Sequence, residues 1–315
     1  MVVGNAGVVR ALKVGRAVKT IKEGDLCLVF CNGVWDEFGF PDKIYAYDAP
    51  GSIGLLAKRT KLNERQLLLI PRDTRHSLEQ WAAFSLRYIT AWANWKLSYG
   101  CWRLQVGQGN SYKPSVWGWG GGVTLAELML AKFSGCDVAM ISSLPERLNL
   151  IERMGIAPID RRQFPNLNFD QERYRADSDF KSSYLDSEKA FLHLVNERTL
   201  GRGVSIFIDF IGAPVFRATL KSLARPGVIT TAGWKEGMNL STVRAIECMM
   251  WHTHVHTHYA RYEEGYQAIR FAEDTGWAPP VEYRAYAWDE IPRLAQDYFD
   301  GKIITYFPIY QVNPL

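Results

Sequence analysis

The sequence holds little that would staple, anchor or export it. Five cysteines, Cys27, Cys31, Cys101, Cys136 and Cys248, lie scattered and odd in number among 315 residues. This argues against a disulfide framework and fits a reducing compartment. Cys27 and Cys31 stand four apart, but no second Cys or His pair follows at finger-like spacing, so no structural zinc site is expected. Apolar runs such as residues 67–70 and 204–210 fall well short of the roughly 20 residues of a membrane-spanning helix. The start, Met1-Val-Val-Gly-Asn, lacks the basic and apolar segments of a secretory signal, and a cytoplasmic chain without membrane contact is the expectation. Lys and Arg are dispersed and sum to a net charge of only +4. Nucleic acid is therefore not the expected partner, whereas a dinucleotide or a coenzyme A thioester suits that mild positive balance.

What the sequence has is core: 47% apolar and 13% aromatic residues, with no low-complexity stretch, linker or internal repeat. The centre alternates in pattern. A strand ending at residues 115–118, a helix over 123–133, a strand over 137–143, a helix over 144–154 opened by Ser143 and Pro145, and a short strand at 157–159 make a βαβαβ unit and hence a parallel sheet. Residues 204–210, 227–233 and 249–258 read as three more strands, completing the six of a dinucleotide-binding sheet. The first 75 or so residues, with short alternating runs at 25–30 and 43–47, suggest a small antiparallel β domain. The tail, 281–315, reads as strand, helix, strand.

Chemistry concentrates at Gly118-Trp119-Gly120-Gly121-Gly122-Val123-Thr124, where the first central strand passes into its helix. Glycines there let the chain turn tightly and let a diphosphate approach the helix N-terminus, whose free N–H groups and dipole favour anions; the bland alternative is a turn serving helix and strand packing. At the end of the next strand, where an NAD site places a carboxylate for the ribose, stand Ser142 and Ser143 with Arg147 close behind. Hydroxyls and a guanidinium suit a 2′-phosphate, so NADPH is expected over NADH. Ser143 doubles as a candidate helix cap. Tyr112, Trp117 and Trp119 could stack on a base or serve as packing.

Residues 22–25 (Lys-Glu-Gly-Asp), Trp35-Asp36, 83–92, Trp117-Gly118, Ile159-Asp160-Arg161, 227–231 and 257–262 recur in the order of the medium-chain dehydrogenase/reductase superfamily. The chain resembles its crotonyl-CoA carboxylase/reductase branch, as does the polar insertion at 163–203. The resemblance implies an α/β protein with a Rossmann doubly wound parallel sheet and a partial GroES-like β domain. It divides the chain into a substrate domain (1–90), an NADPH-binding domain (91–273) and a return to the substrate domain (274–315). It implies NADPH-dependent, zinc-independent reduction of an α,β-unsaturated thioester of coenzyme A or a carrier protein, with carboxylation left open, and a homodimer paired through the edge strand around His254. By position His258 matches a histidine that helps hold carbon dioxide, and Asp48 stands where a Glu assists through water. Thr90, Thr230 and Thr231 match the nicotinamide wall, and Arg161 joins Gly118, Gly121, Gly122, Val123, Ser142, Ser143 and Arg147 in holding the cofactor.

The sequence departs from the family in three places. Thr124 replaces the third glycine, Arg87-Tyr88 replace a Thr-Gly before the nicotinamide wall, and the chain begins well inside the family's length, beyond an Asn and much of the acyl pocket. Two further readings follow from these: a degenerate member that binds NADPH or a partner without turnover, and an oxidoreductase whose pocket another subunit completes.

Four histidines, His252, His254, His256 and His258, alternate along one strand, so their rings share a face and could hold a metal. No carboxylate or thiolate at suggestive spacing joins them, and no metal is assigned. Cys31, Asp36 and His76 form a still weaker catalytic zinc set.

Overall fold

In a computed structural model the described residues are 2–107, 112–231, 240, 244–256 and 260–314. They divide into two compact units, residues 1–93 with 259–315, and residues 94–258. The second boundary lies earlier than the expected 273/274, because residues 259–273 group with the first unit.

In the first unit β1 (Val8–Arg10), β2 (Leu26–Val29) and β5 (Leu67–Leu69) form an antiparallel sheet in the order β1-β2-β5, and β3 (Asn32–Trp35) pairs with β4 (Pro41–Ile44). Ile21, Cys27, Val29, Tyr45 and Leu67 make its small core. The helix α1 (Leu78–Val106) follows, with residues in both units. Its first half carries Trp81, Phe84 and Tyr88, all fully buried, at the spacing of one helical face. Residues 83–92 thus lie in α1, so Thr90 is helical.

The second unit is one parallel sheet. Its strands are β6 (Ser115–Trp119), β7 (Asp137–Ser142), β8 (Ala157–Asp160), β9 (Val204–Asp209), β10 (Leu223–Thr231) and β11 (His252–His256), in the order β11-β10-β9-β6-β7-β8. This is the doubly wound order, with its reversal between β6 and β9. Connecting helices are α2 (Gly122–Phe133), α3 (Pro145–Arg153), α4 (Gln171–Ala176), α5 (Ser178–Arg198), α6 (Ala213–Ser222) and α7 (Arg244–Met250). Every residue of β6 and β9 is buried, as expected for strands covered on both faces. The 163–203 insertion is no loose loop. Its α5 puts Tyr184, Phe191 and Val195 into the core with Trp117, Trp119 and Phe207.

The chain then adds α8 (Tyr262–Thr275) and α9 (Ile291–Phe299) to the first unit. The tail does not form the expected strands: beside α9 it makes one isolated bridge, Tyr286 to Tyr310, since Pro308 and the apolar stretch around it pack as irregular chain. Likewise Met249 and Met250 end α7, and the strand described there is His252–His256, while 257 and 258 lie outside the described residues. Among the described residues no helix is long and apolar enough to cross a membrane.

Candidate cofactor site

Parallel register brings the predicted cofactor residues of the second unit to one end of the sheet. Trp119 pairs with Ile141 on one side and Asp209 on the other, Ser142 with Asp160, and Thr230 with Ile208. Gly118, Gly121, Gly122 and Val123 therefore stand beside Ser142 and Ser143, and these beside Arg161. Thr230 and Thr231 close the far end of β10.

The turn after β6 is built around an exchange of volumes. A Cβ on Gly118 would lie 2.7 Å from Cγ2 of Thr124, and one on Gly120, whose φ is +149°, would lie 2.3 Å from its Oγ1. Thr124 is fully buried. Its side chain fills the helix and strand contact beneath the turn, in room that Gly118 and Gly120 leave. The outer side is open, with nothing within 4 Å of a Cβ on Gly121. Gly121 is the N-cap of α2, and no side chain caps that helix. Its first N–H groups are thus offered at an open glycine edge, the arrangement that takes an anion.

At the end of β7, Ser142 is half-buried and Ser143 exposed. Ser143 is not the cap of α3: Leu144 is the N-cap, with no side-chain bond to the helix and Pro145 following. The Ser143 hydroxyl is therefore not spent on α3. Arg147 lies half-buried in the first turn of that helix. On β8, Asp160 is clasped by Arg162, whose Nε and Nη2 donate to its carboxylate at 2.7–3.0 Å and hold it below the usual carboxylate range. Arg161 donates to the carbonyl of Leu167 at 3.4 Å. The carboxylate at the end of β8 is thus already neutralised.

Thr230 is fully buried at the end of β10, and its hydroxyl has no hydrogen-bond partner among the described residues. A buried hydroxyl is ordinarily paired, so an orphan beside the strand ends fits a site that a ligand completes.

Other expectations resolve differently. Trp119 is buried and stacks on Phe191 at 5.3 Å, Trp117 packs edge-on to the same ring, and Tyr112 lies under the guanidinium of Arg202 at 4.6 Å, so all three are packing residues. Asp48, in the first unit, is exposed and accepts from the Ile44 N–H at 2.5 Å, closing its own turn. Thr90 is half-buried in the first unit. His258 lies outside the described residues. His254 packs edge-on to Phe216, 5.9 Å between ring centres. Among the described residues no three His, Cys, Asp or Glu side chains group to hold a metal. Cys31, Asp36 and His76 are each engaged locally. Burial pushes the Cys31 thiol up to about 12, Asp36 accepts from the Phe38 and Phe40 N–H groups, and the His76 ring bonds the Ala272 carbonyl.

Sequence reasoning missed Asp209, at the end of β9. It accepts from the N–H groups of Ile211 and Gly212 and from the Thr219 hydroxyl at 2.9–3.0 Å, while burial raises its pKa. It shapes the turn into α6, where Gly212 has φ of +94°. The signal was legible: an Asp at a strand end, three residues before a Gly.

No family model matches the chain. It is 24% identical to the crotonyl-CoA reductase of Streptomyces collinus, an alignment covering 93% of this chain and 63% of that protein. The chain thus spans under two thirds of that relative's length. Among solved structures it is similar to the crotonyl-CoA carboxylase/reductase AntE in complex with NADP (TM-score 0.74, 22% identity, 95% of this chain and 73% of that one). It is also similar to the 2-octenoyl-CoA carboxylase reductase CinF in complex with NADP and 2-octenoyl-CoA (0.74, 20%, 95% and 65%). An alcohol dehydrogenase from the archaeon Aeropyrum pernix matches at 0.72, with 21% identity over 96% of this chain and 80% of that one. The chain shares the fold of these reductases and of that dehydrogenase, and in sequence it is similar to a crotonyl-CoA reductase.

Proposed function

We propose that the chain is an NADPH-dependent, zinc-independent reductase of an α,β-unsaturated acyl thioester of coenzyme A or a carrier protein. The observation that carries this reading is the uncapped N-terminus of α2 behind the open edge at Gly121, with Ser142, Ser143 and Arg147 at the neighbouring strand end. Gly121, Gly122 and Val123 would direct N–H groups to the diphosphate, with Gly118 letting the chain pass close beneath. Ser142, Ser143, Arg147 and Arg161 would hold the 2′-phosphate, and the Asp160 carboxylate beside them is already paired with Arg162. Thr230, Thr231 and Thr90 would line the nicotinamide, and the orphan Thr230 hydroxyl gives that wall a free donor. The cofactor would supply a hydride to the β-carbon of the thioester. From the resemblance we assign His258, with Asp48 acting through water, to the step in which the α-carbon takes up a proton or carbon dioxide. β11 lies at one edge of the sheet, hydrogen-bonded to β10 on one side. Its other side supports pairing with a second copy.

The test mixes the protein with NADPH and crotonyl-CoA, with and without bicarbonate, and follows loss of reduced nicotinamide. Consumption supports the reductase. Thermal stabilisation by NADPH without consumption supports the rival reading, binding without turnover. Arg147→Ala should cut the preference for NADPH over NADH about tenfold, the loss of one charge-assisted contact. His258→Ala should lower turnover and leave NADPH affinity intact. A flat calorimetric titration with both coenzymes refutes the assignment.

A further inference from the structure

Trp119 and Asp209 are partners in register on β6 and β9, the two strands between which the order of the sheet reverses. The turns that follow them touch. The Phe210 N–H donates to the Trp119 carbonyl at 3.1 Å, and a Cβ on Gly120 would lie 2.8 Å from that of Phe210, so the glycine passes flush against it. The same carbonyl accepts from the Thr124 hydroxyl at 3.5 Å. The glycine turn is thus held from α2 on one hand and from the turn after β9 on the other.

What fixes Phe210 is its neighbour. Asp209 is fully buried, and its two oxygens are spent separately. Oδ1 accepts from the N–H groups of Ile211 and Gly212 at 3.0 and 2.9 Å, while Oδ2 accepts from the Thr219 hydroxyl of α6 at 2.9 Å. Phe210 lies between the acid and the amides that Oδ1 holds, so those two bonds close the chain around it. Gly212, with φ of +94°, lets the chain turn in so few residues. A short acid that bonds the backbone two and three residues on sets the path of its own loop. Here that path decides where Phe210 meets Trp119 and Gly120.

We propose that Asp209 is a positioning residue for the cofactor: acting through Phe210, it keeps the glycine turn, and with it the offered N–H groups of α2, where a diphosphate meets them. Donors held in place beforehand bind more tightly, because less ordering is left for the ligand to impose. This role rests on the NADPH-binding reading, whereas the coupling of the two turns does not.

The experiment compares the wild type with Asp209→Ala, which loses the Oδ1 bonds, with Asp209→Asn, which keeps a carbonyl oxygen for them, and with Thr219→Val, which cuts the Oδ2 side alone. Asp209→Ala and Thr219→Val should both melt lower. Well below either melting temperature, the dissociation constant for NADPH, read by calorimetry, should rise about tenfold in Asp209→Ala, the worth of about one net hydrogen bond. It should keep its wild-type value in Thr219→Val and Asp209→Asn. In turnover the KM for NADPH should follow, with kcat little changed. Without ligand, hydrogen exchange at the amides of residues 120–124 should quicken in Asp209→Ala and not in Thr219→Val. Should Asp209→Ala not fold, Asp209→Ser, whose hydroxyl closes such turns more weakly, should show the same changes in smaller measure. Wild-type NADPH affinity in a lower-melting Asp209→Ala, or equal weakening in Thr219→Val, makes Asp209 a brace of the fold alone and overturns the proposal. Should no nicotinamide coenzyme bind even the wild type, the NADPH reading fails by itself, and the exchange rates at 120–124 still decide whether Asp209 holds that turn.

Discussion

Glu127 sits in α2 with no exposed surface, yet it is a carboxylic acid. Among the described residues neither of its oxygens makes a hydrogen bond of good geometry, and Asn94, itself fully buried, is the group that favours its charged form. Burial drives its pKa well above the 4.5 of a free glutamate. The folded state therefore keeps this proton after the unfolded chain has released it. Its stability is full below pH 4.5 and falls as pH rises toward the folded-state value, by about 1.4 kcal/mol per pH unit. Replacing it by Gln keeps the shape and removes the titration. Above pH 4.5, for as long as the folded state holds the proton, the variant should gain on the wild type by about 1.4 kcal/mol per pH unit, each kcal/mol worth about 2–4 °C of melting temperature. Urea unfolding of both proteins at pH 5, 6, 7 and 8 measures the difference, in which the other titrating groups cancel. The two should agree near pH 5 and diverge steadily above it. If the stability curves run parallel across that range, Glu127 is not held protonated by the fold and the reasoning is wrong.

Other consequences are equally direct. Gly118→Ala puts a methyl 2.7 Å from Thr124 and 3.0 Å from the Ile208 carbonyl, and should cost about 1–3 kcal/mol; combined with Thr124→Gly it should cost less than the sum of the two single changes, as a denaturation double-mutant cycle will read. Glu188 accepts from Tyr184, Arg217 and Lys221; because the two cations keep about a third or more of their surface in water, Glu188→Ala should cost about 2–3 kcal/mol in urea unfolding rather than the full penalty of a sealed pair. Burial lifts the thiols of Cys27, Cys31 and Cys136 to about 11, 12 and 12, so at pH 8 a thiol reagent should label exposed Cys248 and half-buried Cys101 first, with the other three reacting only in denaturant, as peptide mapping will show.

The parts of the fold that were legible in the sequence are those governed by local pattern. The all-buried runs of β6 and β9 and the periodic helix after Gly121 announce a covered parallel sheet, and its order follows from the alternation of strand and helix. What depends on distant partners was not legible. Polar residues dominate α5, but the stripe of Tyr184, Phe191 and Val195 becomes core only when β6 and β9 lie beneath it. Aromatic richness in the tail and in 83–92 could not separate strand from helix, because the ring of Tyr88 meets those of Trp277 and Phe307 from far along the sequence, 189 and 219 residues away. At this end of the sheet, residue types singled out the glycine turn and the serines with their arginine as the candidate phosphate site. The same reading could not see that Asp160 is cancelled by Arg162, that Leu144 rather than Ser143 heads α3, or that the Thr230 hydroxyl finds no partner among the described residues.

The turn after β6 also shows how such a loop keeps its path while its spelling changes. Position 124 has acquired bulk, and positions 118 and 120 have the hollow that receives it, so the inner packing is whole and the outer rim is untouched. The three sites behave as a single occupied volume. Scored letter by letter against a glycine fingerprint, this loop looks damaged at its third glycine; measured by the space its atoms fill, it is complete.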